Sequence, residues 1–154
     1  MATAEAVLTT VTTEGSVHRA AALLYGHWKR LSAAAIRSRF HSRVGDDWLK
    51  RRAESCRPDL VLGLEADGDT RAVLEIYRVA KSHAEIALSV EDAYQGIGYG
   101  RQLFSAALGH ARDMGIETVE ATFSHDNRAM LQIALGAGAK IIAESGNRCA
   151  TIWL

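Results

Sequence analysis

Apolar residues change their spacing several times along the chain, and each change marks an element. Ile86, Leu88 and Val90 alternate with Ala87 and Ser89, the period of two expected of a strand over 83–90. A polar turn, Glu91-Asp92-Ala93-Tyr94, interrupts that strand. Beyond a glycine-rich stretch, apolar positions recur as Leu103, Phe104, Ala107, Leu108 and Ala111, the spacing of a helix over 98–114. Upstream, the Val/Thr-rich segment 5–14 reads as a first strand. Residues 17–28, 32–40 and 46–55 read as helices, the second capped by Ser32 and the third closed off before Pro58. Residues 59–65 and 71–79 form a hairpin across Asp67-Gly68-Asp69. Downstream, 117–123 reads as a strand. A short helix over 127–135 follows, with Asp126 as cap and Gly136 as stop. Residues 140–144 and 148–153 are two closing strands joined by Ser145-Gly146-Asn147.

The order is strand, helices, three strands, helix, strand, helix, two strands. Neither a doubly wound alternation nor a β-sandwich produces it. A chain of 154 residues makes a single domain, 1–154, large enough to bury a sizeable core. Lysine and arginine balance aspartate and glutamate at net zero, which argues against nucleic acid as the main partner. No apolar run approaches membrane-spanning length, and no basic-then-apolar leader opens the chain. Cys56 and Cys149 match no zinc or redox spacing, which suits the cytoplasm. His18, His27, His41, His83, His110 and His125 form no i, i+4 pair or Cys/His cluster, so no metal site is expected. His83 and His125 flank the strands over 83–90 and 117–123 and read as surface or capping groups, the alternative being acid–base groups. Lys29, Arg30, Arg37, Arg39, Arg43, Lys50, Arg51 and Arg52 make the early helices locally basic. These read as solvated helix faces or as a surface for an acidic partner.

The chemistry concentrates in Gln95-Gly96-Ile97-Gly98-Tyr99-Gly100-Arg101. A strand, a glycine-rich turn and a helix N-terminus together point main-chain N–H groups at an anion, usually a phosphate. Glycine lets the backbone approach closely and take φ > 0, and Arg101 stands in the first helical turn. The dinucleotide fingerprint starting at Gly96 requires glycine where Arg101 stands, which disfavours a nicotinamide dinucleotide. The P-loop Gly-Lys-Ser/Thr is missing. Gln95, Gly98 and Gly100 fit Gln/Arg-x-x-Gly-x-Gly/Ala instead.

That pattern resembles the coenzyme A pyrophosphate loop of the GNAT N-acetyltransferase superfamily, and the likeness extends over essentially the whole chain. The segment HWKRLSAAAIRSRF (27–40) more loosely resembles the helix entry of the acyltransferase domain of bacterial protein-lysine acetyltransferases. The resemblance implies an α/β fold of the α+β kind: a mixed, mostly antiparallel sheet of six to seven strands with helices on both faces. It implies acetyl-CoA as cofactor and direct transfer to a primary amine, either a protein lysine or a small molecule. The partners are then acetyl-CoA and this acceptor, with a homodimer left open. Carried over residue by residue, the main chain of Leu88, Ser89 and Val90 holds the pantetheine arm and thioester, and residues 95–101 hold the diphosphate. Asn127, opening Asn127-Arg128-Ala129-Met130, either contacts the arm or caps its helix. Glu85 is the candidate general base, the alternative being an edge or salt-bridged carboxylate; Glu120 is its substitute. The acceptor pocket is expected between the early helices and the last hairpin. Ala134 stands where the family often has a proton-donating tyrosine, so a non-catalytic acyl-CoA sensor of the same fold is the second reading.

Overall fold

The computed structural model describes residues 5–154. Its strands are Val7–Thr12 (β1), Leu60–Ala66 (β2), Asp69–Ala80 (β3), His83–Val90 (β4), Thr118–Ser124 (β5), Lys140–Glu144 (β6) and Asn147–Trp153 (β7). Its helices are Val17–Trp28 (α1), Ala33–Phe40 (α2), Asp46–Ser55 (α3), Tyr99–Asp113 (α4) and Arg128–Gly136 (α5). The element order matches the sequence pattern. β1 is shorter than expected, and Asp92–Tyr94 closes into one 3-10 turn.

The strands form one sheet in the order β1-β2-β3-β4-β5-β7-β6, antiparallel throughout except for the β4–β5 pair. β2 and β3 are central and covered on both faces, so they read as continuous apolar runs rather than alternations. Leu62, Leu64, Leu74, Ile76, Ile86, Val119, Ala121 and Phe123 pack with Leu103, Phe104 and Met130 beneath α4 and α5. Val11, Val61 and Val73 pack with Leu24, Trp28, Ile36 and Leu49 beneath α1, α2 and α3. No helix among the described residues is long and apolar enough to cross a membrane.

β4 and β5 pair only at His83–Thr118, Ala84–Val119 and Glu85–Glu120, and then part. β5 turns to β7, which it follows along its full length. The part of β4 beyond Glu85 keeps β3 on one side and loses its ladder partner on the other. This divergence is what opens the cleft described below.

The layer beneath α1–α3 carries a polar interior. Glu75 is fully buried in β3, and Arg39 grips both its oxygens, with Nη2 at 2.9 and 2.8 Å. The Tyr77 hydroxyl donates to the same carboxylate. Burial and the Glu75 charge push the Tyr77 pKa far up, so this hydroxyl stays a donor. The guanidinium also lies over the Phe40 ring, 4.6 Å from its centroid. His27, fully buried in α1, contacts the Thr70 carbonyl through Nδ1 at 3.2 Å and the Ser89 hydroxyl through Nε2 at 2.9 Å. Burial is the main cause of a pKa lowered to about 4.

Two stability outcomes follow from this interior. Arg39→Met strands a buried carboxylate and is expected to cost about 3–5 kcal/mol in urea unfolding. The triple variant R39M/E75L/Y77F should recover most of that loss; equal instability would mean that Arg39 contributes packing rather than charge pairing. Because folding lowers the His27 pKa from 6.5 to about 4, the unfolded chain takes the proton first as pH falls. Stability is therefore whole above pH 6.5 and drains away towards pH 4. About 2 kcal/mol should go between pH 6.5 and 5, read as a falling melting temperature, and His27→Phe should flatten that slope.

Candidate active site

The gap between β4 and β5 opens into a cavity of about 1110 Å³. Its floor is Glu85–Val90 of β4 and Glu120–Phe123 of β5, and one wall is Ala34, Ala35, Ser38 and Arg39 of α2. Asn127, Met130 and Ile133 of α5 form the opposite wall, and the glycine loop closes one end. Of the site residues expected from the sequence, Glu85, Leu88, Ser89, Val90, Gln95, Gly96, Gly98, Tyr99, Gly100, Arg101 and Asn127 all line this one cavity. Ile97 alone among them does not; its side chain is exposed.

The direction of the β4 main chain follows from one bond. Glu91 N–H donates to Arg71 O of the neighbouring strand at 2.9 Å. With a period of two and no register shift from Ala72–Val90 to Arg78–Ala84, the main-chain groups of Ser89, Ala87 and Glu85 also face β3. Those of Val90, Leu88 and Ile86 face the gap. The Gln95 side-chain amide donates to Val90 O at 3.0 Å, as that direction requires. The Ser89 side chain points to the α1–α2 layer, where His27 holds it.

The loop is shaped by its glycines at two points. Gly98 takes φ of 94° as the residue capping α4, a conformation closed to most side chains. A Cβ on Gly100 would stand 3.1 Å from Ile133 Cδ1 and 3.4 Å from Leu88 Cδ2, so a side chain there would fill the space between loop and α5. Gly100 and Arg101 fall in the first turn of α4, where N–H groups have no helical partner. Gln95 serves the turn itself, donating its N–H to Asp92 O at 3.2 Å. Tyr99 stacks on Tyr94 at 5.9 Å and packs into the core beneath α4. Arg101 is exposed at the loop end of the cleft. A loop held close to Ile133 and Leu88 by Gly100, with helix N–H groups beside an arginine at the end of the cleft, fits a pyrophosphate.

Across the cavity, Asn127 caps α5, its Oδ1 accepting from Met130 N–H at 3.1 Å. Its Nδ2 donates to Ser38 Oγ at 3.3 Å, bridging the two walls. Glu85 and Glu120 stand side by side in register on the face turned to α2. His83 Nε2 lies 3.3 Å from Glu120, while Glu85 is exposed to the cleft. The expected acceptor wall needs a correction. α2 lines the cavity, but no residue of the β6–β7 hairpin does, because β7 lies on the far side of β5 and carries β6 away from the gap. His125 Nδ1–H donates to Gly146 O, 2.8 Å away, outside the β4–β5 gap. Ala134, a residue of α5, is fully buried. No group of three or more metal-ligating side chains occurs among the described residues.

Sequence reasoning passed over His27, Ser89's side chain and the Arg39–Glu75 pair. Glu75 had one legible sign, a lone charge within the apolar run of 72–76. Arg39, read with the other cations of the early helices as a solvated face or a surface for an acidic partner, is instead turned inward onto Glu75.

Comparison with known proteins bears on the same residues. The model of the acetyltransferase (GNAT) family matches residues 27–136. The GNAT domain of the S. lividans protein PAT superposes with a TM-score of 0.77 at 22% identity, over 97% of this chain and 90% of that one. The Salmonella typhimurium protein yncA, solved with its cofactor acetyl-CoA, superposes with a TM-score of 0.60 at 22% identity, over 96% and 93%. A cAMP-binding acyltransferase from Mycobacterium smegmatis superposes with a TM-score of 0.61 at 24% identity, over 96% of this chain and 43% of that one. No curated protein sequence matches the chain. With its mixed seven-strand sheet split between β4 and β5, and a family match spanning the cleft from α1 to α5, the chain belongs to the GNAT acetyltransferase family.

Proposed function

We propose that the chain transfers an acetyl group from acetyl-CoA directly to a primary amine, carried by a protein lysine or a small molecule. One observation carries this reading: the β4–β5 gap runs straight into the glycine loop and the open end of α4, a continuous groove from phosphate cradle to carboxylate pair. Acetyl-CoA, when bound, supplies a thioester carbonyl and a thiol leaving group. Residues 96, 98, 100 and 101 are the chain's means of holding the diphosphate. The gap-facing N–H groups of Leu88 and Val90 are the donors available to an acyl oxygen as it gains charge. Ser89, whose main chain is committed to β3, offers the cleft no main-chain donor.

The amine arrives as a cation. A lysine-like ammonium of pKa about 10.4 costs about 4.6 kcal/mol to neutralise at pH 7, so a base is useful. Glu85 has a carboxylate open to the cleft to take that proton, directly or through water, and pass it to solvent. Glu120 beside it is engaged by His83. Burial pushes both thiols, Cys56 and Cys149, above their ordinary pKa. Neither is a ready nucleophile, which favours direct attack over a cysteine-borne acyl group. Ala134 offers no proton, so the departing sulfur leaves as a thiolate or is met by water. This residue favours the second reading, a GNAT-fold module that binds acyl-CoA without turnover.

Calorimetry with coenzyme A is expected to show one-to-one uptake by the folded chain; no uptake would remove both readings. Thiol release from acetyl-CoA, followed with a panel of amines and lysine peptides, is expected to show turnover with at least one, and silence across the panel would leave the sensor. Glu85→Gln should cut kcat by about 10²-fold or more while leaving coenzyme A affinity within about twofold. An unchanged kcat would take Glu85 out of the mechanism.

A further inference from the structure

His27 and Ser89 make a buried pair that acyl transfer as described above leaves unused. The Thr70 carbonyl is only an acceptor, and it already receives Arg30 Nη2 at 2.7 Å. His27 Nδ1, 3.2 Å from that oxygen, must therefore carry a hydrogen. A neutral imidazole has one N–H, so Nε2 presents a lone pair. Burial in α1 beside Arg30 and Arg39 keeps the ring neutral. The Ser89 hydroxyl, 2.9 Å from Nε2, consequently donates its hydrogen to the ring.

Ser89 lines the cleft on the same face of β4 as Glu85, opposite Ser38 and the small residues Ala34 and Ala35 of α2. A free serine hydroxyl would swing to donate or accept as a ligand required. Here the hydrogen is already spent, so the cleft meets only oxygen lone pairs. The geometry points to Ser89 Oγ as an acceptor-only contact, fixed by His27, that takes an N–H donor of the bound substrate and turns away a carbonyl, carboxylate or phosphate oxygen. Two sources can supply such a donor: an amide N–H of the coenzyme A arm, or the amine of the acyl acceptor. This inference rests on the acyl-transfer reading, deepening it by assigning a specificity-determining side chain and, in His27, a positioning residue.

The protonation pattern can be tested without any ligand. Nitrogen NMR of uniformly 15N-labelled protein should show His27 as the neutral Nδ1–H tautomer throughout pH 5–8. An Nε2–H tautomer would reverse the polarity of Ser89 and overturn the proposal. Binding then separates the two sources. Ser89→Ala should weaken one contact about tenfold, the scale of one lost hydrogen bond. That loss appears in the coenzyme A dissociation constant if the arm is the donor. It appears in the KM of the amine, with coenzyme A binding unchanged, if the acceptor is. Both constants staying within twofold of the parent in a folded variant would overturn it. Ser89→Thr, which keeps the hydroxyl, should hold the affected constant within twofold of the parent, and Ser89→Cys, which replaces the acceptor oxygen by a weakly accepting sulfur, should show the same loss if the alanine variant misfolds. His27→Phe should show a smaller loss in the same constant, and the double variant should lose no more than S89A alone; losses that add would show that His27 does not act through Ser89. Failure of the parent to bind coenzyme A would defeat the acyl-transfer reading, while the tautomer result would stand on its own.

Discussion

Two parallel strands that pair over three residues and then part set the terms for everything else in this fold. A strand in a sheet interior normally spends its N–H and C=O groups on both neighbours. Past Glu85, β4 has only β3, and the groups of Ile86, Leu88 and Val90 face a space that no strand fills. Left dry and unpaired they would each cost about 1–3 kcal/mol, so the gap has to admit water or a ligand with matching groups. An extended, amide-bearing arm meets that demand as a further strand would. The split is thus a standing hydrogen-bonding deficit placed beside the glycine loop and the first turn of α4.

A split sheet needs something to keep it from closing, and the polar layer beneath α1–α3 does so. Arg39 reaches from the cleft wall into β3 and locks α2 at a fixed height above the gap. Asn127 ties the α5 wall to Ser38 of the same helix while also satisfying the first turn of α5. His27 ties α1 to both edges of the β3–β4 hairpin region, at Thr70 and Ser89. A buried ion pair contributes little net stability against an apolar replacement, but it fixes one geometry. Here the geometry fixed is that of a cavity wall.

The elements and the loop were legible because each rests on local rules. The period switch after Val90, the glycines and the caps at Ser32 and Asn127 are short-range signals that tertiary packing reinforced. Family resemblance then converted the order of elements into a split sheet. The long-range polar pairs were illegible for a physical reason. Arg39 looks like its exposed neighbours Arg37 and Arg43 until β3 places Glu75 beneath it, 36 residues away in sequence. The Ser89–His27 contact spans 62 residues and depends on which face of β4 turns to α1. The expectation that the last hairpin helps to form the acceptor pocket rests on sheet order, which the sequence does not print: β7 lies beyond β5, and no residue of β6 or β7 lines the cavity.

The cleft carries charges of both signs, as the neutral chain does. Arg101 and Asp92 line it at the loop, Arg128 and Asp126 at the start of α5 and Arg39 on α2, while Glu85 and Glu120 stand where the strands last pair. Under the acyl-transfer reading proposed above, the diphosphate lies at the Arg101 end and the amine at the Glu85 end. Ala134 is tolerable in such an arrangement. A thiol of pKa near 8–9 leaves readily as an anion, whereas the amine must lose a proton before it can attack. Under that proposal the harder proton transfer falls to the end of the cleft where Glu85 and Glu120 stand in register.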